Sequence, residues 1–379
     1  MNANVTTPEV IQPNEETTTA EEKIFYATQW QLMWLKFKKH RVAMAAGIII
    51  IFMYLVAIFA PFVAPYDPDT RHRNAALVPP TKIRFIDENG FSFRPFIHPI
   101  KQEVDFTTFQ RIYVEDTSRR LPIRFFVRGE EYKLFGITTN IHLFGVDEGA
   151  IFLFGTDRLG RDMFTRIIYG SRISMSIGLV GVFLSLVLGL IFGGISGYYG
   201  GIVDGIIQRV IEVLRSFPTI PLWMALSAAL PPDWSPVKVY LGITVILSLI
   251  GWTSLGRQVR GLVLSIKNED FVVAARLAGT SEPKIILTHL IPSFMSHIIA
   301  SITLSIPNMI LSETSLSFLG IGLRPPVISW GTLLQQAQNV HSIVMAPWLL
   351  IPGLFVIIFV LVFNFLGDGL RDAADPYGQ

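Results

Sequence analysis

The sequence predicts an all-α polytopic membrane protein with six transmembrane helices and a β-rich extracellular insertion between the first two. Three observations predict it. Ala43 to Tyr66, Ile173 to Val203, Val239 to Gly256 and Ser342 to Gly367 contain no Asp, Glu, Lys, Arg or His, and Ile285 to Ser312 contains only His289 and His297. A helix needs about 20 apolar residues to cross a hydrocarbon layer about 30 Å thick. These runs are continuous rather than alternating, which selects helices over a closed barrel. Finally, the segment from 66 to 172 alternates instead, and carries 16 Lys plus Arg against 14 Asp plus Glu.

Taken in order, residues 1–22 hold five Glu and no positive charge. They read as the start of a disordered cytoplasmic tail, set at 1–29. Trp30 to Leu35 suits a segment lying along the interface, with Trp30 and Trp34 as anchors. Lys36, Lys38, Lys39 and Arg41 stand before the first apolar run. Positive residues beside a membrane helix favour the cytoplasmic side, so helix 1 (about 44–64) runs outward. No cleavage pattern of a secretory signal follows it.

The insertion (66–155) opens with Lys82-Ile83-Arg84-Phe85-Ile86, then Asp87-Glu88-Asn89-Gly90, then Phe91-Ser92-Phe93-Arg94. Alternation around a turn ending in Asn-Gly predicts a hairpin. A second hairpin is expected over 123–135, turning at Gly129-Glu130. Long external loops cross a membrane largely regardless of their charge.

Helix 2 is expected from Ile173 to about Gly194, with Gly178, Gly181, Gly189, Gly193 and Gly194 permitting close contact in lipid. An inner turn follows at 197–201. Helix 3 starts near 205 with Arg209, Glu212 and Arg215, spaced for neighbouring ion pairs. It bends near Pro218, with a re-entrant segment as the competing reading. These three charges read as an inner-surface cluster rather than as substrate ligands. Helix 4 is expected over 238–256, helix 5 over 289–316 and helix 6 over 343–366. Both termini are then cytoplasmic, in a multi-pass protein of a bacterial cell membrane.

The inner segment 257–292 has its own pattern. Asn268 can cap a short helix, and Glu269 and Asp270 suit its positive end. Phe271, Ala274, Ala275 and Ala278 form one apolar stripe. Gly279 stands where a left-handed residue ends a helix. Thr280 or Ser281 can cap a second helix carrying Pro283 in its first turn.

The stretch Val273-Ala274-Ala275-Arg276-Leu277-Ala278-Gly279, with Pro292 thirteen residues beyond the glycine, resembles the cytoplasmic loop of binding-protein-dependent ABC importer permeases. That loop usually reads Glu-Ala-Ala, three residues, Gly, nine residues, Ile-x-Leu-Pro. Here Val273 replaces Glu, His289 replaces Ile and Ile291 replaces Leu. Residues 154–162 (Phe-Gly-Thr-Asp-Arg-Leu-Gly-Arg-Asp) with Tyr169-Gly170-Ser171-Arg172 look like the lead-in to helix 2 of the oligopeptide, dipeptide and nickel permeases. Ser312 to Gly322, Pro325-Pro326 and Trp330-Gly331 resemble their connection between helices 5 and 6. The likeness covers about 30–65 and 150–379 and points to the C-type permease. The enlarged insertion most resembles oligopeptide versions from Gram-positive bacteria.

That resemblance implies the type I ABC importer permease fold, with the permease core at 156–379. It implies a homologous second permease, two cytoplasmic ATPases and an extracellular solute-binding protein that delivers peptide. ATP and Mg belong to the ATPases; no cofactor is bound by this chain. Indeed, no Gly-Lys-Ser/Thr phosphate loop occurs in the sequence. Residues 268–279, with Glu269, Asp270, Phe271, Ala274, Ala275, Ala278 and Gly279, form the expected coupling helix; the bland reading is the inward face of a surface helix. Glu313, near the outer end of helix 5, is a candidate for the pathway or gate, or for a structural hydrogen bond. His142, His289 and His297 read as polar or packing residues rather than a metal site. Asp157, Arg158, Arg161 and Asp162 have no binding task that the sequence discloses beyond fixing the start of helix 2. The absence of cysteine excludes thiolate chemistry, and no concentrated basic stripe suggests nucleic acid. The permease catalyses no bond chemistry. Alternative cargoes are dipeptides, nickel complexes or another small solute. The alternative class is a non-transporting membrane scaffold or receptor.

Overall fold

The computed structural model describes residues 29–88, 90–104 and 111–374. All of the expected tail except Gln29 therefore lies outside the described residues. The chain opens with α1 (Gln29–Lys39) and α2 (Arg41–Ile58), separated at His40, whose Nδ1 accepts from the Ala43 amide at 3.1 Å. Phe37 of α1 clusters with Ala43 of α2 and with Ala373 of the last helix. After a kink at Phe59, α3 (Ala60–Val63) carries Pro61 in its first turn.

Seven strands follow among the described residues: β1 (Arg84–Asp87), β2 (Gly90–Ile97), β3 (Ile100–Val104), β4 (Arg111–Glu115), β5 (Leu121–Pro122), β6 (Arg124–Leu134) and β7 (Ile137–Gly145). They form three small antiparallel sheets, β1-β2-β5, β3-β4 and β6-β7. The first expected hairpin pairs Ile86 with Phe91 and Asp87 with Gly90. The second is corrected. β6 runs straight through Gly129-Glu130, and the chain reverses at Phe135-Gly136. Between Arg128 and Tyr132 the pairing slips, so three residues bulge where a turn was expected. The His142 ring covers Gly129, and its Nε2 lies 3.0 Å from the Glu130 carbonyl, which holds this bulge in the sheet.

The helical part comprises α4 (Met163–Tyr199), α5 (Gly201–Ser216), α6 (Thr219–Ala228), α7 (Pro236–Ile266), α8 (Asp270–Leu277) and α9 (Glu282–Ile285). A π turn over Ile286–Leu290 and α10 (Ile291–Ser293) lead into α11 (Met295–Phe318). Then come α12 (Trp330–Leu334), α13 (Val340–Met345) and α14 (Ile351–Ala374). Among the described residues, five helices are long and apolar enough to cross a membrane: α2, α4, α7, α11, and α14 with its lead-in turn. The third expected span is broken rather than bent. Phe217 and Pro218 are extended, and the ten residues of α6 rise only about 15 Å. The pair α5–α6 nonetheless brings the chain across. Leu230 and Trp234 share a cleft with Ile321 and Pro325, and the adjoining Pro236 and Pro326 line another with Tyr169 in the first turns of α4, at the other end of that helix from Tyr199.

Several expected boundaries move for identifiable reasons. α4 has 37 residues because Asp162 caps it and its first turns, including Met163, Ile167 and Ile168, are buried. α7 continues past Gly256 because Arg260 bonds both oxygens of Asp204 at 2.6 Å, so its charge does not end the helix. α11 begins only at Met295, after a break at Phe294 that follows Pro292. The last span starts later than expected because Ala346 is extended before Pro347. It continues past 366 because Leu366, Leu370 and Ala373 pack beside α1.

Small residues set the closest helix contact. A Cβ on Gly193 would come within 2.5 Å of the Gly256 carbonyl, so α4 and α7 touch backbone to backbone there. The main core fills the space between α4, α11 and α14 around Trp330, whose Nε1 donates to the Ile167 carbonyl at 3.2 Å.

Residues 154–162 form a knot at the β-domain end. Asp157 is fully buried. Its Oδ1 accepts from the Leu159 and Arg161 amides, and its Oδ2 pairs with the Arg161 guanidinium at 2.7 Å. The Thr156 amide donates to the Val78 carbonyl at 2.9 Å, and Trp348 Nε1 donates to the Thr156 carbonyl at 2.9 Å. The segment after α3, the head of α4 and the lead-in to α14 are thereby tied together. Asp162 Oδ2 accepts from the Thr165 amide at 2.7 Å. Burial nevertheless pushes this carboxyl up to about 7, outweighing the Thr165 and Phe164 amides that favour its charged form.

Two predictions follow from these contacts. Gly193→Val should cost about 1–3 kcal/mol by overpacking the α4–α7 contact. Gly205→Ala, in open space, should be neutral or gain up to about 1 kcal/mol. Thermal unfolding of the detergent-solubilised protein distinguishes them, and equal melting temperatures would refute the close contact. For Asp162, the folded pKa lies above the unfolded value of about 4. The folded state therefore binds the extra proton, and stability falls as pH rises from about 4 to about 7. Asp162→Asn keeps an acceptor for the cap and should flatten this part of the pH–melting curve; an unchanged slope would place the titration elsewhere.

Candidate coupling helix and transport path

At the end opposite the β-domain, α8 stands out as a short helix between two turns. Glu269, not Asn268, occupies the N-cap position, and Asp270 lies in the first turn near the positive end of the helix. The helix ends in a Schellman motif. The Thr280 amide donates to the Ala275 carbonyl at 3.1 Å, and the Gly279 amide donates to the Arg276 carbonyl at 3.0 Å. Gly279 has φ +76°, which a side chain resists. Ser281 then occupies the N-cap of α9, with Pro283 in its first turn.

Only one side of α8 is anchored. Val272 is fully buried among Val259, Val263, Ile285 and Leu290, and Ala275 packs partly against them. The remaining stripe residues, Phe271, Ala274 and Ala278, are exposed, as are Glu269, Asp270 and Gly279. Leu277 is the most open apolar residue of the helix, at 85 %. Three of the four stripe residues therefore face away from the protein, while Ala275 packs inward beside Val272, the inward contact that the spacing argument overlooked.

This anchor continues into the spans. The Arg276 guanidinium lies 5.7 Å over the ring of Tyr198, the penultimate residue of α4. Lys267, at the end of α7, donates to the carbonyls of Gly197 and Tyr198 at 3.1 and 3.4 Å. Asp204 in α5 accepts from Arg260 in α7 and from Ser196 in α4. Helices α4, α5 and α7 thus meet in one polar clasp, which α8 joins through Arg276. Sequence reasoning missed Asp204 and Arg260, because their 56-residue separation carries no local signal. Arg209 and Glu212 pair at 3.1 Å on an exposed face; Arg215, on the next turn, is also exposed.

A second feature lies between the spans. A cavity of about 440 Å³ opens between α4, α6, α7 and α11. Its α11 wall carries Ser301, Ser305, Asn308 and Ser312, which recur every three or four residues and therefore share one face. Gln258 of α7 donates to Ser301 Oγ at 2.7 Å, and its Nε2 lies 2.9 Å from Nε2 of exposed His297. Apolar groups such as Trp223, Leu247 and Met309 complete the wall. The serine spacing was available in the sequence, but the hydropathy of helix 5 masked it.

Glu313 adjoins this stripe but does not line the cavity. It is fully buried, and its Oε1 accepts from Ser317 Oγ and Ser329 Oγ, each at 2.8 Å. Ser329 also caps α12, and Ser317 Oγ accepts from the Leu323 amide at 3.0 Å. The carboxylate thus fastens α11 to the connection that follows it. The three histidines stand apart. His142 is buried in the β-domain, with Nδ1 2.6 Å from the Ala64 carbonyl, while His289 lies in the π turn and His297 beyond the break at Phe294. Among the described residues, no group of three or more His, Asp or Glu is placed to hold a metal.

The chain matches the profile of the binding-protein-dependent transport system inner membrane component over residues 185–377. Residues 28–80 match the N-terminal transmembrane domain of oligopeptide transport permease C. The glutathione transport system permease protein GsiD of Escherichia coli is 31 % identical over 350 residues, covering 92 % of this chain and 91 % of that one. The oligopeptide transport system permease protein OppC of Bacillus subtilis is 30 % identical over 348 residues, covering 92 % and 89 %. A chain of the solved inward-facing MetNI methionine ABC transporter aligns with TM-score 0.44 and 18 % identity, over 56 % of this chain and 98 % of that one. On the family profile and these two full-length relatives, the chain belongs to the binding-protein-dependent transport system inner membrane component family and is a membrane-spanning permease subunit of an ABC importer.

Proposed function

We propose that this permease imports oligopeptides delivered by an extracellular solute-binding protein, and that α8 is the handle by which a cytoplasmic ATPase drives it. The observation that carries the cargo reading is the neutral polar stripe Ser301, Ser305, Asn308 and Ser312 along the cavity. Hydroxyl and amide groups set in apolar walls match the donors and acceptors of a peptide backbone, which every peptide shares whatever its side chains. A ladder of equivalent groups also has no fixed point for a terminal charge, so it suits chains of varied length better than a single dipeptide. The names of the relatives agree, since GsiD is a glutathione permease and OppC an oligopeptide permease. A homologous second permease would close the open side of the cavity.

The exposed stripe of α8 supports the second half of the proposal. Phe271, Ala274, Ala278 and Leu277 offer an apolar face of small and large groups that fits a groove. Two ATPase subunits would bind ATP and Mg and close on each other, drawing this helix and its counterpart together. The buried Val272, the Arg276–Tyr198 contact and the Lys267 bonds would pass that displacement to α7 and α4. The cavity would then open toward the β-domain, receive peptide, and face inward again after hydrolysis. This reading places α8 and both termini in the cytoplasm and the β-domain outside, in a bacterial cell membrane.

Four outcomes are expected in vesicles containing the whole transporter. Labelled oligopeptide should accumulate with ATP, while dipeptide or nickel uptake in its place would overturn the cargo assignment. Asn308→Leu should lower peptide uptake several-fold while ATPase association stays normal. Gly279→Pro should abolish uptake and weaken ATPase association with membrane insertion intact, since proline cannot adopt a positive φ. Gly279→Ala should be milder, costing about 1 kcal/mol at the bend. Normal uptake and normal association in Gly279→Pro would remove the handle from the account.

A further inference from the structure

Among the described residues the β6–β7 hairpin pairs with no further strand, yet it is firmly tied to the end of the first span. His142 Nδ1 lies 2.6 Å from the Ala64 carbonyl, and the Glu130 carboxylate accepts from the Asp67 amide at 2.7 Å and from Thr70 Oγ1 at 2.9 Å. Phe126 packs 6.2 Å from Phe62, and Phe135 meets Phe59 edge-on at 5.9 Å. Both hairpin phenylalanines hold left-handed backbone, at φ +58° and +50°. Bulky residues rarely adopt that conformation, so the surrounding contacts must hold it in place. The outcome is unusual for a water-facing hairpin: Phe126, Phe135 and Ile137 are 67, 76 and 71 % exposed.

The position of these residues names the occupant. Ile48, Phe52 and Leu55 of α2 and Phe59 at its C-terminal cap fall on one stripe and are 63, 64, 48 and 38 % exposed. Phe135 extends that stripe by one residue beyond the helix. α2 rises about 27 Å over its 18 residues, so Phe59 and Phe135 stand at the edge of the hydrocarbon layer. None of the cavity-lining residues comes from α2, α3 or the hairpin. The bare stripe therefore takes no part in lining the cavity. Lys133 is exposed two residues before the tip.

We propose that the β6–β7 hairpin is a membrane-surface anchor, whose Phe126, Phe135 and Ile137 enter the lipid boundary beside α2 on the β-domain side. Aromatic side chains favour that boundary, and a preformed loop loses little entropy on entering it. The anchor would fix the β-domain's tilt relative to the membrane plane through His142 and Glu130.

The absence of cysteine in this chain allows a direct test. A nitroxide is placed at Phe135→Cys, and separately at Ile137→Cys, in the assembled transporter reconstituted in lipid. Wild-type transporter labelled in parallel supplies the background from its other subunits. Ile51→Cys on α2 and Glu148→Cys in the β-domain serve as lipid and water references. At both tip positions, the ratio of oxygen to water-soluble nickel relaxation should be several-fold above that at Glu148 and approach that at Ile51. Free access to nickel would show a water-exposed tip. Exclusion of both reagents would show a protein contact instead. Either result overturns the anchor.

Discussion

The backbone contact between α4 and α7 is the constraint on which the rest of the helical structure depends. In lipid, apolar side chains gain little by leaving one another's company, so helices associate through close packing and internal polar bonds. Gly189, Gly193 and Gly197 let α4 approach Leu255, the Gly256 carbonyl and Val263 in succession. Ser248 Oγ adds a bond from α7 to the Gly181 carbonyl at 3.0 Å. With these two helices joined along most of their length, α11 packs against both of them and α6 packs against α7 and α11. The cavity is the space that this arrangement leaves unfilled.

Polar groups are concentrated where that pair ends. The clasp of Asp204, Arg260, Ser196 and Lys267 satisfies the last carbonyls of α4 and neutralises a guanidinium near the membrane surface. α8 hangs from the same place by Val272 and Arg276. A short helix held on one face by a buried valine, and released at both ends by turns, moves as a unit with whatever it touches. A displacement imposed on its open face therefore reaches α4 and α7 together rather than being absorbed by a loose loop.

The opposite end follows another rule. There the chain leaves and re-enters the membrane several times, and the knot around Thr156 and Asp157 sets the spacing of those crossings. Its buried carboxylate is acceptable because two amides and a guanidinium surround it. Glu313 works on the same principle with serine hydroxyls in place of a cation. In both cases the buried carboxylate is occupied by the protein's own donors, which for Glu313, the residue read from the sequence as a pathway candidate, is the structural hydrogen bond that was the alternative.

The sequence by itself determined the spans, because run length and charge answer directly to the thickness and polarity of a bilayer. It also determined the bend at Gly279 and the first hairpin, since helix ends and tight turns depend on a few adjacent residues. The third span was legible only as an irregularity at Pro218. Its complete break, the late starts of α11 and α14, and the bulge at Gly129 were settled by neighbours distant in the chain. Tertiary structure alone decided which face of α8 is free, that Arg260 meets Asp204, and that the serines of α11 face a cavity. Each of these is a pairing between surfaces, and periodicity specifies a surface without specifying what lies opposite it.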